Sequence, residues 1–426
     1  MRLFDKGKVI IGYDLSDSYA QISYFTAGSD QIETVSSVGG AKVYCIPTVL
    51  CKREGLNQWF YGRDALRYAE ENQGIQIEEL LSLAIDGEPI LIEGESYNPV
   101  ALLTLFVKRS LQLLSGVAGA DKISAMMVTC EKLDNRTLEV LNQVIAGLQL
   151  KTDQIFFQCH AESFYHYMIY QPEELWRQQA VLCEYQKNEL TVYRMGCNKR
   201  TIPIVVYIDQ HKYPFVYYEP IPEEKSLREQ KLESLDRELL RLLEKVCENQ
   251  LISAAYLIGE NFSEEWLQES LRYLCKGKRV FLGNNLFSKG ACYAMMERME
   301  ESENGKAHVY LGDDKLKFNI GMKVMRRGQE SYLAILDAGV NWYEAERELE
   351  FYLQESQYIE LIITSLIGGK SKAVRILLPE LSGGISRLRA QFSLKDEEHL
   401  KIKVEDLGFG VIRPATFHVW EEELEL

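Results

Sequence analysis

The stretch Val9-Ile10-Ile11-Gly12-Tyr13-Asp14-Leu15-Ser16-Asp17-Ser18-Tyr19-Ala20-Gln21-Ile22-Ser23-Tyr24-Phe25 sets the architecture of this chain. It reads as a buried strand, a tight polar turn and a second strand, with Asp14 where the first strand ends. A counterpart lies far downstream: Ala180-Val181-Leu182-Cys183-Glu184-Tyr185-Gln186-Lys187-Asn188-Glu189-Leu190-Thr191-Val192-Tyr193. It again runs strand, acid, polar turn, strand, with Glu184 at the strand end. Two such hairpins, each with one carboxylate, predict a duplicated architecture with a cleft between its halves.

Outward from the hairpins, bulk properties bound the rest. At 426 residues the chain exceeds one ordinary core, and two or three domains are expected. The 63 acidic against 48 basic residues give a net charge of -15, which argues against a general nucleic-acid or anionic-membrane binder. Met1-Arg2-Leu3-Phe4-Asp5-Lys6-Gly7-Lys8 enters the first strand directly, so neither a secretory signal nor a membrane span is expected. Nine cysteines lie without pairing or metal spacing, several in apolar runs (Cys183, Cys247, Cys275). They read as small buried thiols in a reducing compartment, and a cytoplasmic protein is the expectation.

Residues 8 to 36 read as three short strands, followed by a strand at Ile46-Pro47-Thr48-Val49-Leu50. A helix follows from about Tyr61 to Glu71, and residues 76 to 92 are ambiguous. Asn98-Pro99 marks a helix start, with a polar cap and then proline at the first position. Further alternation comes from a strand at Ala125 to Thr129, a helix after Asp134, a strand at Ile155 to Phe157 and a helix from about Ala161. This indicates an α/β layered lobe, about residues 1 to 178. After the Glu184 hairpin, strands are expected at Ile202 to Tyr207 and at 215 to 218. Glu223 to Asn249 reads as a long charged helix with Leu232, Leu235, Leu239, Leu242 and Val246 along one face. That seam either meets a partner helix or packs on its own lobe. A strand ending at Gly259 and elements to about residue 299 complete a second lobe, 179 to 299. Residues 300 to 306 form a polar linker. The remainder, 307 to 426, alternates with turns every eight to twelve residues, as a β-sandwich does, and ends in a strand at Thr416 to Trp420 and an acidic tail.

This order of elements resembles the actin-like ATPase superfamily, and specifically the DnaK-type heat-shock chaperones. Ile11-Gly12-Tyr13-Asp14-Leu15-Ser16 resembles the first phosphate motif of that family. Ile46-Pro47-Thr48-Val49 with Gly62 and Ala65 resembles the next block. Ile145-Ala146-Gly147-Leu148-Gln149-Leu150 resembles the segment before the central hinge. Leu257-Ile258-Gly259 and Ser288-Lys289-Gly290-Ala291 resemble the adenosine motif and terminal helix. Residues 318 to 410 resemble the peptide-binding β-sandwich, most closely over Ile385 to Leu394 and Leu400 to Gly408. The resemblance covers almost the whole chain. It implies an actin-like, ribonuclease H-like two-lobe domain followed by a β-sandwich.

It also implies where a nucleotide would sit. Gly12, Asp14, Ser16, Ser18, Glu184, Lys187 and Gly259 would line the cleft, with Asp14 and Glu184 beside a magnesium ion. A clamp of this kind needs glycine or small hydroxyl residues where amides approach phosphates, carboxylates around the metal waters and a group that positions the attacking water. The chain departs from each requirement. Ser16 stands for a family glycine, and Asp17 for a phosphate-contacting threonine. Two like charges ~4 Å apart cost about 4 kcal/mol at an effective dielectric of 20. Gln186-Lys187-Asn188-Glu189 replaces the second glycine turn, and Asn188 is the residue suited there to the left-handed region. Lys187 either meets a phosphate or is a solvated turn lysine. The family's catalytic glutamate falls near Cys159; the Cys159-His160 pair invites a nucleophile reading, against the plain one in which neighbours point apart. Residues 75 to 92, where the catalytic lysine belongs, hold no lysine or arginine. Asp14 and Glu184 are also readable as acids that cap turn amides.

No catalytic residue is therefore assigned, and no cofactor is expected, with ATP and magnesium kept for the alternative. Met325 falls near the family's arch methionine and is either a substrate-groove or a core methionine. The family's glycines beside it are Arg326 and Arg327, and its helical lid has no counterpart before Leu426. The expectation is a chaperone-like scaffold that binds a protein or extended peptide with a degenerate ATPase domain, without nucleic acid or membrane as partner. The alternatives are an active, divergent ATP-dependent chaperone and an actin-like assembly component. The oligomeric state is left open.

Overall fold

The computed structural model describes residues 8–426 except 27, 72–73, 118, 120–121, 216–221, 223, 260, 263–265, 284, 367, 369–370 and 382–383. The chain forms two compact units, Met1–His308 and Val309–Leu426. It is an α/β unit with mixed sheets followed by a β-rich unit.

In the first lobe, strand Val9–Leu15 forms a hairpin with Tyr19–Thr26 and lies parallel to Ile123–Cys130, which is parallel in turn to Ile155–Cys159. The second lobe repeats the plan. Gln179–Gln186 forms a hairpin with Glu189–Asn198 and lies parallel to Ile252–Ile258, which is parallel to Arg279–Gly283. Asp14 pairs with Gln21 and Glu184 with Thr191, so each acid lies seven positions before its cross-strand partner. The duplication read from two short stretches thus extends to strand order, pairing sense and register. Both first strands are buried along nearly their whole length, as strands flanked by parallel neighbours and covered by helices must be.

Two helices join these sheets. His160–Ile169 and Leu286–Met299 touch where Gly290 lies against the Ser163 backbone; a Cβ at Gly290 would stand 1.9 Å from the Ser163 carbonyl oxygen. Leu286–Met299 also lies on the first strand, where a Cβ at Gly12 would meet the Ser288 carbonyl oxygen at 2.0 Å. Gly12 is therefore a contact point between strand and helix. The long helix is Lys225–Cys247. Leu232, Leu235, Leu239, Leu243 and Val246 pack into the core of its own lobe, and Leu242 is only partly buried. Asp236, buried on the same helix, accepts the amides of Gln268, Glu269 and Ser270 and so caps helix Glu269–Cys275.

Several boundaries differ from the sequence reading. The strand expected at 202–207 runs on as Ile204–Pro214, paired along its length with Glu189–Asn198; of the strand expected at 215–218, residues 216–218 lie outside the described ones. The polar linker at 300–306 contains helix Glu303–Ala307. Ser302 caps it, and Glu297 accepts the Ser302 amide at 2.9 Å. Cys275 is exposed rather than buried. No helix among the described residues is long and apolar enough to cross a membrane.

The second unit consists of two four-stranded antiparallel sheets around one shared core, which includes Ile320, Leu361, Leu388, Phe392 and Ile402. The acidic end is not a tail. Val419–Glu425 is an edge strand paired with His399–Gly408. Asp406, fully buried, organises the loop between them. Its carboxylate accepts the Gly408 amide at 3.0 Å, the Thr416 hydroxyl at 2.7 Å and an Arg413 guanidinium N–H at 2.7 Å. Burial alone would push its carboxyl up, but these hydrogen bonds and the Arg413 charge outweigh it and hold it below the usual range. A carboxyl lowered in this way contributes stability that is complete above the unfolded value, roughly pH 4. The contribution is lost as pH falls through the folded value. Asp406→Asn is therefore expected to reduce the acid sensitivity of this unit, measured as the unfolding midpoint in urea between about pH 5 and about pH 2.

Candidate functional site

The two strand-end acids meet at the junction of the lobes. Asp14 is wholly buried at the end of its strand, and His160 Nε2 donates to its Oδ1 at 2.8 Å. His160 is 1% exposed and opens the helix that follows Ile155–Cys159, so the chain changes from strand to helix at this residue. Its ring lies flat on Phe287, with centroids 4.0 Å apart and planes 10° apart. The Cys159 thiol accepts the Glu162 amide at 3.5 Å as the cap of that helix. The pair adjacent in sequence is thus split between two structural jobs and does not form a nucleophile with its base.

Glu184, 2% exposed, is bound on both oxygens. Tyr19 donates to Oε1 at 3.2 Å and Gln186 to the same atom at 2.6 Å, while Tyr193 donates to Oε2 at 3.3 Å. Burial pushes the Glu184 carboxyl up, and the positive charge of His160 draws it partly back. For His160, burial favours the neutral ring, but the neighbouring Asp14 charge and hydrogen bond, with Glu184 behind them, more than offset this and raise its pKa. The hydroxyls of Tyr19 and Tyr193 are raised by burial and by the Glu184 charge, so both act as donors. Around the acids, Asp14 Oδ2, His160 Nδ1 and Gln158 Oε1 are buried without a hydrogen-bond partner. Among the described residues no group of three or more His, Cys, Asp or Glu is arranged to hold a metal ion.

The hairpin turns are tied down by the protein itself. The Ser16 hydroxyl donates to the Tyr19 carbonyl at 2.9 Å and closes its own turn. Asp17 lies on the wall of the cleft, but its carboxylate is engaged by the protein. Its carboxylate accepts the amides of Leu81 and Ser82 at 2.9 and 3.0 Å, which caps helix Leu80–Asp86 within the segment that was ambiguous in sequence. Ser18 accepts the Thr48 amide through its carbonyl at 3.2 Å. In the second turn Lys187, and not Asn188, takes the left-handed conformation, at φ +34°. Its ammonium reaches Glu79 at 3.5 Å. Gly259, at φ +113°, lies against the Tyr185 backbone, where a Cβ would stand 2.4 Å from the carbonyl oxygen. Like Gly12, it serves a close backbone approach.

Between the two turns lies a cavity of about 310 Å³, lined by Asp17, Ser18, Tyr19 and Thr48 on one side and by Gln186 and Lys187 on the other. Of the residues singled out in the sequence, Ser18 and Lys187 line this cavity, while Asp14, Glu184, Gly12, Ser16 and Gly259 are not part of its lining. Met325 belongs to the other unit. It is 69% exposed on strand Phe318–Arg326, beside a turn in which Arg327 and Gly328 take positive φ. Sequence reasoning missed His160, Tyr19, Tyr193 and Gln186 as partners of the acids. The only signal for His160 was its position at a strand-to-helix junction.

A model of the family of unknown function (DUF5716), C-terminal, matches residues 31–313, and a domain of unknown function (DUF8552) matches residues 315–426. No curated protein matches the chain.

Proposed function

The chain belongs to the family of unknown function DUF5716, whose C-terminal model matches residues 31–313. We propose that it is a binding scaffold built on an actin-like pair of lobes that no longer hydrolyses ATP. Protein or extended peptide is the partner class. The observation that carries this reading is that both strand-end acids are buried and engaged by side chains of the protein: Asp14 through one oxygen by His160, and Glu184 through both oxygens by Tyr19, Gln186 and Tyr193.

A magnesium ion held through its waters needs carboxylates that face a wet cavity. Here both lie at 2% exposure or less, and His160 already bonds one oxygen of Asp14. A phosphate chain also needs turn amides that are open to it. The first turn is closed by Ser16 and held to helix Leu80–Asp86 by Asp17, and Lys187 and Asn188 in the second carry side chains where the clamp requires glycine. The residues present therefore do not fit a magnesium-bound triphosphate. The β-rich unit, with its own core, is the platform proposed for partner binding, as in the chaperones that the sequence resembles.

Calorimetric titration of the whole chain with ATP and magnesium, together with an assay of phosphate release, tests the reading. No saturable heat and no turnover above background are expected. Saturable binding of the nucleotide would sink the proposal.

A further inference from the structure

We propose that the cavity between the two hairpin turns accepts a cationic head on an alkyl stem, the guanidinium or ammonium of a basic side chain from the partner polypeptide. The inference rests on the reading above that this cleft does not hold a nucleotide.

Three features of the cavity point the same way. Its charge balance is negative, since among the described residues Asp17, Glu78 and Glu79 line it against the single cation Lys187. Asp17 is spent on helix amides, and Lys187 is 3.5 Å from Glu79, while Glu78 has the Gln76 amide as its hydrogen-bond partner among the described residues. An anion entering here would meet unbalanced carboxylate charge; a cation would meet a partner for it. Next, Pro47, Val49 and Leu66 supply apolar wall in the same cavity. Acid at one place and hydrocarbon at another is the pattern that a long basic side chain satisfies, with its stem on the apolar part and its head on the carboxylates. Third, Thr48, which also lines the cavity, is 2% exposed and its hydroxyl has no hydrogen-bond partner among the described residues. A buried hydroxyl left in this way is stabilised when a ligand supplies the missing bond.

The cavity, about 310 Å³, lies at the small end of ligand sites, of order 300–1,000 Å³. That suits one side chain. Guanidinium fits best, because its planar fork can bond a carboxylate with two parallel N–H groups and can displace the point charge of Lys187 from Glu79.

The test is calorimetry on the whole chain with N-acetyl-arginine methylamide, its neutral norleucine analogue and agmatine. The blocked arginine is expected to bind one to one and the norleucine analogue not at all. Replacing Glu78→Gln and Glu79→Gln together is expected to weaken the arginine by at least about fivefold, and Lys187→Ala to tighten it by freeing Glu79. These side chains lie at the cavity rim, and circular dichroism checks that the variants remain folded. Equal behaviour of arginine and norleucine, or affinity unchanged in the double glutamine variant, overturns the proposal. Tighter binding of agmatine than of blocked arginine places the ligand among free small cations and overturns the polypeptide source. Mg-ATP that competes with arginine would overturn the nucleotide-free reading itself. Silence from both ligands removes this inference and leaves that reading standing.

Discussion

His160→Ala is expected to lower the unfolding free energy by about 3–5 kcal/mol, the range found when one partner of a buried ion pair is removed. Three consequences of the deletion add together. Asp14 keeps a carboxylate that is wholly buried, already has one oxygen without a partner among the described residues, and would lose the His160 hydrogen bond to the other. The flat contact with Phe287 is replaced by a void, and cavities cost further free energy. Glu184 also loses the nearby positive charge that offsets part of its burial. Against a total stability of about 5–15 kcal/mol, such a loss moves the denaturant midpoint far. A second variant separates charge from packing. Asp14→Asn added to His160→Ala should recover a substantial part of the stability, because the buried group left behind is then uncharged. No recovery would mean that the void, and not the stranded carboxylate, accounts for the loss.

Gly290→Ala is expected to cost about 3 kcal/mol or more, at the upper end of overpacking effects. The added carbon would lie 1.9 Å from the Ser163 carbonyl oxygen and 2.6 Å from its carbonyl carbon, so main chain and not a flexible side chain has to give way. Ser163 is poorly placed to move. Its hydroxyl is bonded at 2.7 Å to both Thr129 and Gln158 in the buried layer beneath. Separating the helices also disturbs Ser288, which meets Ser23 at 2.8 Å. Gly283→Ala is the control: nothing lies within 4 Å of its added carbon, and a change within about 0.5 kcal/mol is expected. Equal effects at the two glycines would refute the close helix contact as the cause.

What the sequence disclosed follows the range of each interaction. Helix Pro99–Leu111 is legible because its cap is local. Asn98 Oδ1 accepts the Val100 amide at 2.8 Å, and proline takes the first helical position. The two hairpins are legible because strand, acid and polar turn lie within a few residues of one another. The α/β character and the β-rich end are legible from alternation, as in Ile385–Leu394, where burial switches almost residue by residue. Strand Ile204–Pro214 is misread because Asp209, Gln210, His211 and Lys212 break the apolar pattern, yet pairing with Glu189–Asn198 holds them extended on an open face. The site is where local reading runs out. His160 meets Asp14 across 146 positions, and Asp17 caps amides 64 and 65 positions away. Nothing near Asp17 distinguishes a carboxylate turned toward a helix from one turned toward a cleft. His160 faces Asp14 because the strand becomes a helix at that residue, a boundary that single-residue patterns place only to within a few positions.

The imidazole beside Asp14 also bears on how the lobes respond to their surroundings. A dissolved ion that bridges two domains is present only in proportion to its concentration, and the join loosens when the solution is depleted of it. A group covalently fixed to the backbone has no such dependence: chelation, dilution and competition leave its occupancy unchanged. The bond that holds Asp14 is thus present at any composition of the solution, because both of its partners are part of the chain.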